Sequence, residues 1–554
     1  MLKSKRKSKK SKQKPSITKT PKLTKKALAV QKRKAARQKQ EAIKAFATFG
    51  SIGAVIGMIF LLLGKVKIAI AGGGGAAILM LSYKYPRQAL WAFFIYLPFS
   101  GTVTYWIGGG NAIFQIAKDA FYIPALIALI QNCKKKRLPF LIPKNLIPTF
   151  SIVLGFAFLT LIFANGGLQL NPGRDKPILQ GILGLKVLLG YSALIPCMYY
   201  LIRNKQDLLF FTRMHLLLAI ACCTLGFIQY FMLTSGKCPG TRGLTGELLF
   251  KATLTAKCFV GGSLVFSPEV NMIRLPGTFV APWQWAWFLI ANAFLTFASA
   301  FSDPSLWWRM MGLGGMALVF INAVISGQRA ALIVVPVAIV ILLILTGELV
   351  NFKRFIPIGV GLTILLCIVA ATNPEIVEQR WESFVSRWNA APPQQFLFNQ
   401  FQQSHNFIDG HLLGIGLGKA TNSTRFLGAT QLIETYQPKL IYELGYPGAI
   451  AFQMMFLHLT FLAFKAYRSV RDRSLRIYGA SFWVFIGFIS VNPQYYPLDV
   501  DPVTVYYWML AGVVFKLPKI EQQLEAENPQ KLVLKNLSRG QQLKEKKIIE
   551  SSPI

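Results

Sequence analysis

Apolar residues in this chain come in long blocks, without the two-residue alternation of strands or the single stripe of a surface helix. Blocks of about 18–25 apolar residues match the length at which an α-helix crosses the hydrocarbon core of a membrane. The predicted spans are 44–64, 66–83, 88–107, 112–132, 147–165, 178–202, 208–234, 279–301, 304–325, 329–349, 354–372, 441–464, 475–491 and 500–515. Only helices and closed barrels satisfy their backbone in lipid, so the pattern predicts an all-α polytopic membrane protein of about 12–14 transmembrane helices.

Composition supports this fold class. Of the 554 residues, 53% are hydrophobic and only 15% are charged. Soluble domains carry about 25% charged residues, so a soluble enzyme is excluded. The charge that is present is mostly positive, with a formal net charge of +39. The placement of the lysines and arginines therefore becomes informative about orientation.

Lysine and arginine recur in every second connection between predicted spans. The positive connections are 84–87, 134–137, 203–205, 309, 353–354 and 465–476, followed by the segment from 516 onward. Positively charged connections stay on the cytoplasmic side of a membrane. The alternation therefore predicts an even number of spans with both termini cytoplasmic.

The first 43 residues form a basic arm. No acidic residue precedes Glu41, and no aromatic residue lies among the lysines and arginines. A basic arm can bind nucleic acid, but one that directly precedes a span is expected to lie on anionic lipid. We predict a disordered cytoplasmic arm over 1–43, too long and too charged for a cleavable signal peptide, with no nucleic-acid partner.

The remaining boundaries follow from the hydrophobic blocks. Residues 44–372 carry predicted spans 1 to 11, residues 441–515 carry the C-terminal spans, and residues 516–554 form a cytoplasmic tail. Between them, residues 373–440 are the longest hydrophilic connection, a length at which a loop usually has a function. The charge alternation predicts that this large loop is extracytoplasmic.

Two of the seven cysteines, Cys238 and Cys258, share a predicted outer connection at 236–275. That side of the membrane should be oxidising, so a disulfide is expected between them. Closing a loop of this length stabilises a protein by about 3 kcal/mol. The other cysteines lie within or beside predicted spans and are expected to fill apolar space. No metal site is expected, because this connection has no histidine and no CysXXCys pair.

The large loop begins with an amphipathic stretch at 375–388. Arg380, Phe384 and Arg387 fall at spacings of four and three, which puts them on one helical face. A helix of this kind lies in the membrane interface with its aromatic residues at headgroup depth. The stretch therefore predicts an interfacial helix at the start of the loop.

Farther along, the large loop contains GlyIleGlyLeuGly at 414–418. A nucleotide phosphate loop would need glycine at the position of Leu413 and Ser or Thr at the position of Ala420, after Lys419. That interpretation is rejected. The alternative is a tight glycine turn that packs under the outer helices.

The order of the motifs is more specific than any one of them. In order, they are ArgLeuProGlyThrPhe at 274–279, SerGlyGlnArgAlaAla at 326–331, the arginines at 380 and 387, the glycine turn at 414–418 and GluLeuGlyTyrProGly at 443–448. This order resembles the O-antigen ligase and polymerase superfamily of membrane glycosyltransferases. The resemblance implies an enzyme without a cofactor that transfers or polymerises glycans from undecaprenyl diphosphate at the outer face of the cytoplasmic (inner) membrane of a bacterium. Its expected partners are the polyprenyl-diphosphate-linked glycan and membrane lipid.

The resemblance implies that arginines grip the lipid diphosphate. Arg329 matches the arginine of the second motif, and Arg380 or Arg387 is expected to complete the binding site. A guanidinium binds phosphate oxygens through two parallel hydrogen bonds and never deprotonates. The alternatives are a snorkelling arginine at 329 and solvated or headgroup-facing arginines in the loop. Lys186, where family members often carry an arginine, either supplies a third cation or pairs with Asp119.

The expected base differs from that of the ligases. Shortly before the GluLeuGlyTyrProGly motif, where the ligases have a histidine, this chain has Glu434. This departure leaves polymerase-like or related members of the superfamily open. Glu434 would need a pKa raised by burial to act as a base near neutrality, and a salt bridge with Lys439 or Arg425 is the other interpretation. His405 and His411 are further candidate bases, or surface residues of the loop.

Two other functions stay open from the sequence. A small-anion, bicarbonate-like transporter would show internal repeats and paired broken helices, and the two halves of the chain show no convincing repeat. A structural or assembly subunit would tolerate the loss of Arg329. The motif order favours the glycosyltransferase, and the sequence indicates no oligomeric state.

Overall fold

This computed structural model describes residues 25–527 apart from a set of gaps. The gaps are 65, 111–113, 115–116, 142, 172, 242–243, 245–253, 263–264, 268–271, 349–370, 372–373, 375–377, 379–380, 383–384, 387, 390–391 and 493–497. Within the described residues, regular structure is helical except for one antiparallel strand pair. The chain is therefore all-α, as the hydrophobic blocks predict.

The elements follow the chain in a simple order. The helices are α1 Lys25–Leu62, α2 Val66–Lys84, α3 Pro86–Tyr96, α4 Ser100–Thr102, α5 Asp119–Lys135, α6 Ile147–Leu159, α7 Gly166–Gln169, α8 Pro177–Leu189, α9 Leu194–Leu201, α10 Lys205–Thr234, α11 Pro282–Ser302, α12 Leu306–Ile325, α13 Arg329–Thr346, α14 Pro393–Phe407, α15 Tyr436–Ser469, α16 Arg473–Val491 and α17 Val503–Glu527. The π-helical turns Val103–Ile107 and Thr160–Asn165 extend α4 and α6. The strands are β1 Val265–Ser267 and β2 Met272–Arg274.

Many of these helices are long and apolar enough to cross a membrane. Among the described residues nine meet that description, or ten when α8 and α9, bent by 41° from each other, count as one span. The protein is therefore a multi-pass membrane protein. Fewer helices qualify than the fourteen spans that the sequence predicts. The predicted span 354–372 lies outside the described residues except for Ala371, α2 offers only the shorter apolar stretch Ile68–Lys84, and neither α5 nor α17, at the predicted spans 112–132 and 500–515, is among the qualifying helices.

The described residues fall into two compact units, one that ends at Leu81 and one that begins at Ser82. In the first unit, α1 and α2 pack through glycines. A Cβ on Gly53 would lie 2.5 Å from the carbonyl oxygen of Gly73, and a Cβ on Gly73 would lie 2.9 Å from the Cα of Gly57. Small residues let helix backbones approach closely in membranes, so these glycines bring the pair together.

The basic arm is partly helical, which corrects the prediction of disorder over 1–43. α1 begins at Lys25 and continues without a break into its apolar part. The segment 25–43 is rich in Ala, Lys, Arg and Gln, all of which are strong helix formers. Charge and low hydropathy predict disorder here, but intrinsic helix propensity decides the outcome. Residues 1–24 lie outside the described residues.

In the second unit, α11 is the central helix. Its apolar window is 94% buried, and it packs against α10, α12, α13 and α16. A helix that is apolar on every side belongs in the interior of a bundle. The rings of Trp285 and Phe288 stack with centroids 5.2 Å apart. Gly312 lets α12 approach closely, since a Cβ there would lie 2.6 Å from the backbone nitrogen of Ala300.

A disulfide ties the end of α10 to the segment before β1. Cys238 and Cys258 are bonded, with their Cα atoms 5.6 Å apart, as the sequence predicts. Gln229 of α10 donates hydrogen bonds from Nε2 to the carbonyl oxygens of Cys258 at 3.0 Å and Gly261 at 2.8 Å. The bridge and the amide together fix this connection on α10.

The large loop 373–440 is described in part. Those residues of the predicted interfacial helix 375–388 that the structure describes are helical, and the Trp381 side chain is exposed. Arg380 and Arg387 lie outside the described residues. Their predicted place in a diphosphate site therefore stays a prediction.

The disulfide supplies a test of this architecture. Replacing both Cys238→Ser and Cys258→Ser should lower the free energy of unfolding by about 3 kcal/mol, because the open loop gains conformational freedom in the unfolded chain. The thermal unfolding midpoint of the purified protein in detergent measures the change. Wild-type protein treated with a reductant should show the same loss. An unchanged midpoint in the double variant would contradict a stabilising role for the bridge.

Candidate functional site

Two of the sequence motifs meet at the start of α13. The backbone nitrogen of Leu275 donates to the carbonyl oxygen of Ser326 at 3.0 Å. This bond joins the ArgLeuProGlyThrPhe segment to the SerGlyGlnArgAlaAla segment. Arg274 precedes the donor and Arg329 follows the acceptor by three positions. Two arginines that are far apart in sequence are thus carried by adjacent segments.

Glycines allow the two segments to turn tightly. Gly277 and Gly327 have positive φ values of 56° and 67°, a conformation that glycine adopts at no steric cost. A Cβ on Gly277 would also lie 2.5 Å from the Trp285 ring. The glycine of the first motif is therefore required both by its backbone conformation and by its contact with the central helix.

Arg329 is the first residue of α13 and is half-buried. In the described part of the chain, no carboxylate lies within salt-bridge distance of its guanidinium. Arg213, by contrast, binds the buried Asp303 through two bonds of 2.7 and 2.8 Å. A guanidinium without a carboxylate partner keeps its full charge and its donor fork for an anionic ligand.

Glu434 precedes α15 and is half-buried. Its backbone nitrogen donates to the side-chain oxygen of Gln400, in α14, at 2.8 Å. Burial raises the pKa of the Glu434 carboxyl above its ordinary value, and the nearby Arg274 guanidinium partly opposes that rise. The raised pKa of Glu434 is the condition that the sequence analysis sets for a carboxylate base.

Arg274 is the site residue that the sequence did not predict, although it is the first residue of the ArgLeuProGlyThrPhe motif. One sequence feature could have indicated Arg274. It lies directly before the LeuProGlyThrPhe turn, and the next motif along the chain carries Arg329. The proposed salt bridge between Glu434 and Lys439 is wrong, because Lys439 pairs with Asp499. Arg425, the other cation considered, is exposed.

The glycine turn and the GluLeuGlyTyrProGly motif pack against each other. Ile415 donates its backbone N–H to the carbonyl oxygen of Tyr442 at 2.8 Å. Gly445 interrupts α15 with a φ of 71° and a ψ of 173°, and a Cβ there would lie 2.0 Å from the Leu412 carbonyl oxygen. Interpretation of residues 414–418 as a tight packing turn is therefore confirmed.

Side-chain amides hold the other side of the turn. The Asn165 amide accepts from the backbone nitrogen of Leu417 at 2.8 Å and donates to its carbonyl oxygen at 3.0 Å. Gln180 donates to the carbonyl oxygens of Gly418 at 3.3 Å and Ala429 at 3.1 Å. These bonds satisfy backbone groups that the turn would otherwise bury unpaired.

A buried ion network anchors this region. Lys439 pairs with Asp499, and its ammonium lies 4.0 Å from a carboxylate oxygen of Glu443. That oxygen also accepts from the backbone nitrogen of Ala420 at 2.8 Å and from the Thr421 hydroxyl at 3.0 Å. Glu443 is thus a structural acceptor that binds the large loop to α15.

A second group of buried charges lies around the start of α5. Lys118 pairs with Asp501, and Lys186 pairs with Asp119 at 2.7 Å. The Tyr191 hydroxyl donates to the other oxygen of Asp119 at 3.1 Å. The structure therefore has the Lys186–Asp119 pair, the second of the two interpretations given from the sequence. A lysine matched in this way offers less charge to a diphosphate than an arginine without a carboxylate partner.

The histidines considered as bases have other partners. Nδ1 of His405 and the Tyr446 hydroxyl are 3.0 Å apart, and Nδ1 of His411 lies 3.0 Å from the carbonyl oxygen of Asp409. Both imidazoles are exposed. Glu434 is the candidate base that is half-buried and that lies beside an arginine of the motif set.

Comparison with models of known protein families finds no match to this chain, and comparison with curated proteins finds no significantly similar sequence. The resemblance to the O-antigen ligase and polymerase superfamily therefore depends on the sequence motifs alone. Contacts between the motifs form two pairs: the ArgLeuProGlyThrPhe segment with the SerGlyGlnArgAlaAla segment, and the glycine turn with the break in α15.

The Lys439–Asp499 pair supplies a test of the network. Asp499→Asn leaves a buried ammonium without its nearest anion, and breaking one side of a buried pair costs about 3–5 kcal/mol. We expect a large fall in the thermal unfolding midpoint of that variant in detergent. Lys439→Met combined with Asp499→Leu should recover much of the loss, because apolar replacement of both partners is tolerated. A double variant no more stable than Asp499→Asn would argue against the pair.

Proposed function

We propose that this chain is a membrane glycosyltransferase of the O-antigen ligase and polymerase type. It transfers or polymerises glycans from undecaprenyl diphosphate at the outer face of a bacterial cytoplasmic membrane, in surface polysaccharide synthesis. The observation that carries the proposal is the convergence of Glu434, Arg274 and the start of α13. The order of the motifs in the sequence supports it further.

In this proposal, arginines bind the diphosphate of the donor. Arg329 is the principal cation, because no carboxylate among the described residues pairs with its guanidinium. Arg274 lies on the adjacent segment, joined through the Leu275–Ser326 hydrogen bond of 3.0 Å. Arg380 and Arg387 are proposed to approach from the large loop. Lys186 is left out, because its ammonium is 2.7 Å from Asp119.

The reaction needs one proton acceptor and one stabilised leaving group. Glu434 accepts the proton of an acceptor hydroxyl as that oxygen attacks the anomeric carbon of the donor sugar. The bond between the anomeric carbon and the diphosphate oxygen breaks, and its electron pair leaves with undecaprenyl diphosphate. Guanidinium groups stabilise the charge that develops on the leaving oxygen, which is commonly the largest contribution to catalysis. A proton moves to Glu434, and a new glycosidic bond replaces the bond between the anomeric carbon and the diphosphate oxygen.

Orientation follows from the placement of charge. Under the positive-inside rule, the connections rich in lysine and arginine face the cytoplasm, which puts the large loop and Glu434 outside. Lipid-linked glycans would then reach the site within the plane of the membrane. Both termini are proposed to be cytoplasmic.

A small-anion transporter is the second candidate, and two observations favour it. α8 and α9 are bent by 41°, and broken helices form substrate sites in transporters. Buried charges such as Lys118 and Asp119 mark ion pathways in many membrane proteins. These charges are paired within the protein, so the glycosyltransferase remains the better supported function.

The Arg329 side chain tests the proposed function. In a deletion strain, the wild-type gene should restore surface polysaccharide, whereas Arg329→Ala should lower its formation by about 100-fold or more, the effect of losing one preorganised charge donor. Arg329→Lys should retain part of the activity, because it keeps the charge without the two-pronged fork. Electrophoresis of the surface polysaccharide and of the lipid-linked glycans provides the measurement.

Arg425→Ala is the control, because Arg425 is an exposed arginine of the large loop. It should restore polysaccharide as well as the wild type does. Bicarbonate uptake is measured in the same strains. Normal polysaccharide with impaired uptake in the deletion strain would reject the glycosyltransferase in favour of the transporter.

Glu434 supplies a prediction for pH dependence. A base must be deprotonated, so the transfer rate should rise with pH through the raised pKa of Glu434 and fall below it. The Arg274 guanidinium lowers that pKa, so Arg274→Ala should move the acidic limb of the rate profile to higher pH. Rates measured with a purified lipid-linked donor test both points. Full activity of Glu434→Gln, or an unmoved limb in Arg274→Ala, would remove Glu434 from the role of base.

A further inference from the structure

Helix α14 is unusual in a chain of net charge +39. Its sequence, ProGlnGlnPheLeuPheAsnGlnPheGlnGlnSerHisAsnPhe, contains no Asp, Glu, Lys or Arg. Seven of its 15 residues are Asn or Gln. Side-chain amides both donate and accept hydrogen bonds. The helix therefore offers hydrogen bonding without formal charge.

The exposed amides share one side of α14. Gln395, Asn399, Gln402 and Asn406 are all exposed, at spacings of three and four residues, which places them along one helical face. Phe398 lies among them with 67% of its surface exposed. We call these five residues the amide face. The opposite side of the helix carries the buried Ser404.

Contacts on its other sides hold α14 against the candidate site. The side-chain oxygen of Gln400 accepts from the backbone nitrogen of Glu434 at 2.8 Å. At the end of the helix, His405 and Tyr446 are hydrogen-bonded at 3.0 Å. The Phe407 and Tyr442 rings meet edge to face with centroids 5.7 Å apart. These contacts fix α14, which carries the amide face, against Glu434 and the first part of α15.

We infer that the amide face binds an uncharged, polyhydroxylated stretch of the glycan. This inference rests on the proposed function and deepens it by naming the class of glycan that the site takes. Sugar hydroxyls both donate and accept hydrogen bonds, as amides do. The Phe398 ring supplies a flat apolar surface for the C–H side of a sugar ring.

The absence of charged side chains from the amide face indicates which class of molecule it binds. An anionic lipid headgroup or an acidic glycan would be matched by lysine or arginine, and the amide face has neither. Gln400, on another side of α14, is the residue that contacts the backbone of Glu434, so a glycan held on the amide face lies on the helix that adjoins the segment of the proposed base.

Binding of glycan fragments tests the inference without relying on activity. The probes are oligosaccharides released from the cells' own surface polysaccharide by partial acid hydrolysis and separated into neutral and acidic fractions. The purified full-length protein in detergent should bind the neutral fraction. Asn399→Ala combined with Gln402→Ala should bind it about tenfold more weakly, the effect of losing two hydrogen-bonding side chains. Isothermal titration calorimetry and saturation-transfer NMR measure the affinity.

Gln522→Ala is the matched control, because Gln522 is an exposed amide near the far end of α17. It should bind like the wild type, as should Arg329→Ala, which acts on the diphosphate and not on the glycan. Equal affinity of the double variant and the wild type would overturn the inference. So would binding of the acidic fraction alone, or binding of neither fraction.

Failure of this inference can be told apart from failure of the proposed function. In one outcome, Arg329→Ala abolishes polysaccharide formation while the double variant binds and polymerises glycan normally. The proposed function is then supported, and the amide face is only a solvated surface. In the other outcome, the double variant loses glycan binding but Arg329→Ala still makes polysaccharide. The amide face is then a glycan-binding surface, and the proposed role of Arg329 in diphosphate binding is wrong.

Discussion

Two buried lysines from distant parts of the chain hold one short segment between them, and the candidate site depends on that arrangement. Lys439 of α15 pairs with Asp499, and Lys118, just before α5, pairs with Asp501. An unpaired charge in this interior would cost several kcal/mol. The segment 499–501, just before α17, can therefore take few positions in which both aspartates and both lysines are paired. This requirement fixes α5, α15 and α17 relative to one another.

The same network reaches the loop that carries the candidate base. Lys439 is close to Glu443, and Glu443 accepts from Ala420 and Thr421 in the loop. The loop turn is thereby bound to the start of α15, and Glu434 lies just before that start. A charge pair inside the bundle thus positions a carboxyl group at its edge. Mutations in the network should act on the site through geometry, since none of its members needs to contact a substrate.

Much of the fold was predictable from the sequence because it depends on local pattern. Hydrophobic blocks predict membrane helices, and glycines at 414–418 predict a tight turn. The Lys186–Asp119 pair was one of two interpretations, since the sequence shows both charges but not their distance. The Lys439–Asp499 pair joins positions 60 residues apart, and no periodicity links them. Arg274 was missed for the same reason, because its place beside Glu434 depends on tertiary contacts.

The candidate site around Glu434 and the buried ion network use their charges differently, and the distribution of charge explains why. The lysines of the network are matched by carboxylates, so their charge serves the fold. At the candidate site, burial raises the pKa of Glu434 and Arg274 partly opposes that rise. In the proposed reaction, a diphosphate beside the arginines would offset their positive charge. The pKa of Glu434 would then rise, making it a stronger proton acceptor at the moment when the leaving group is in place.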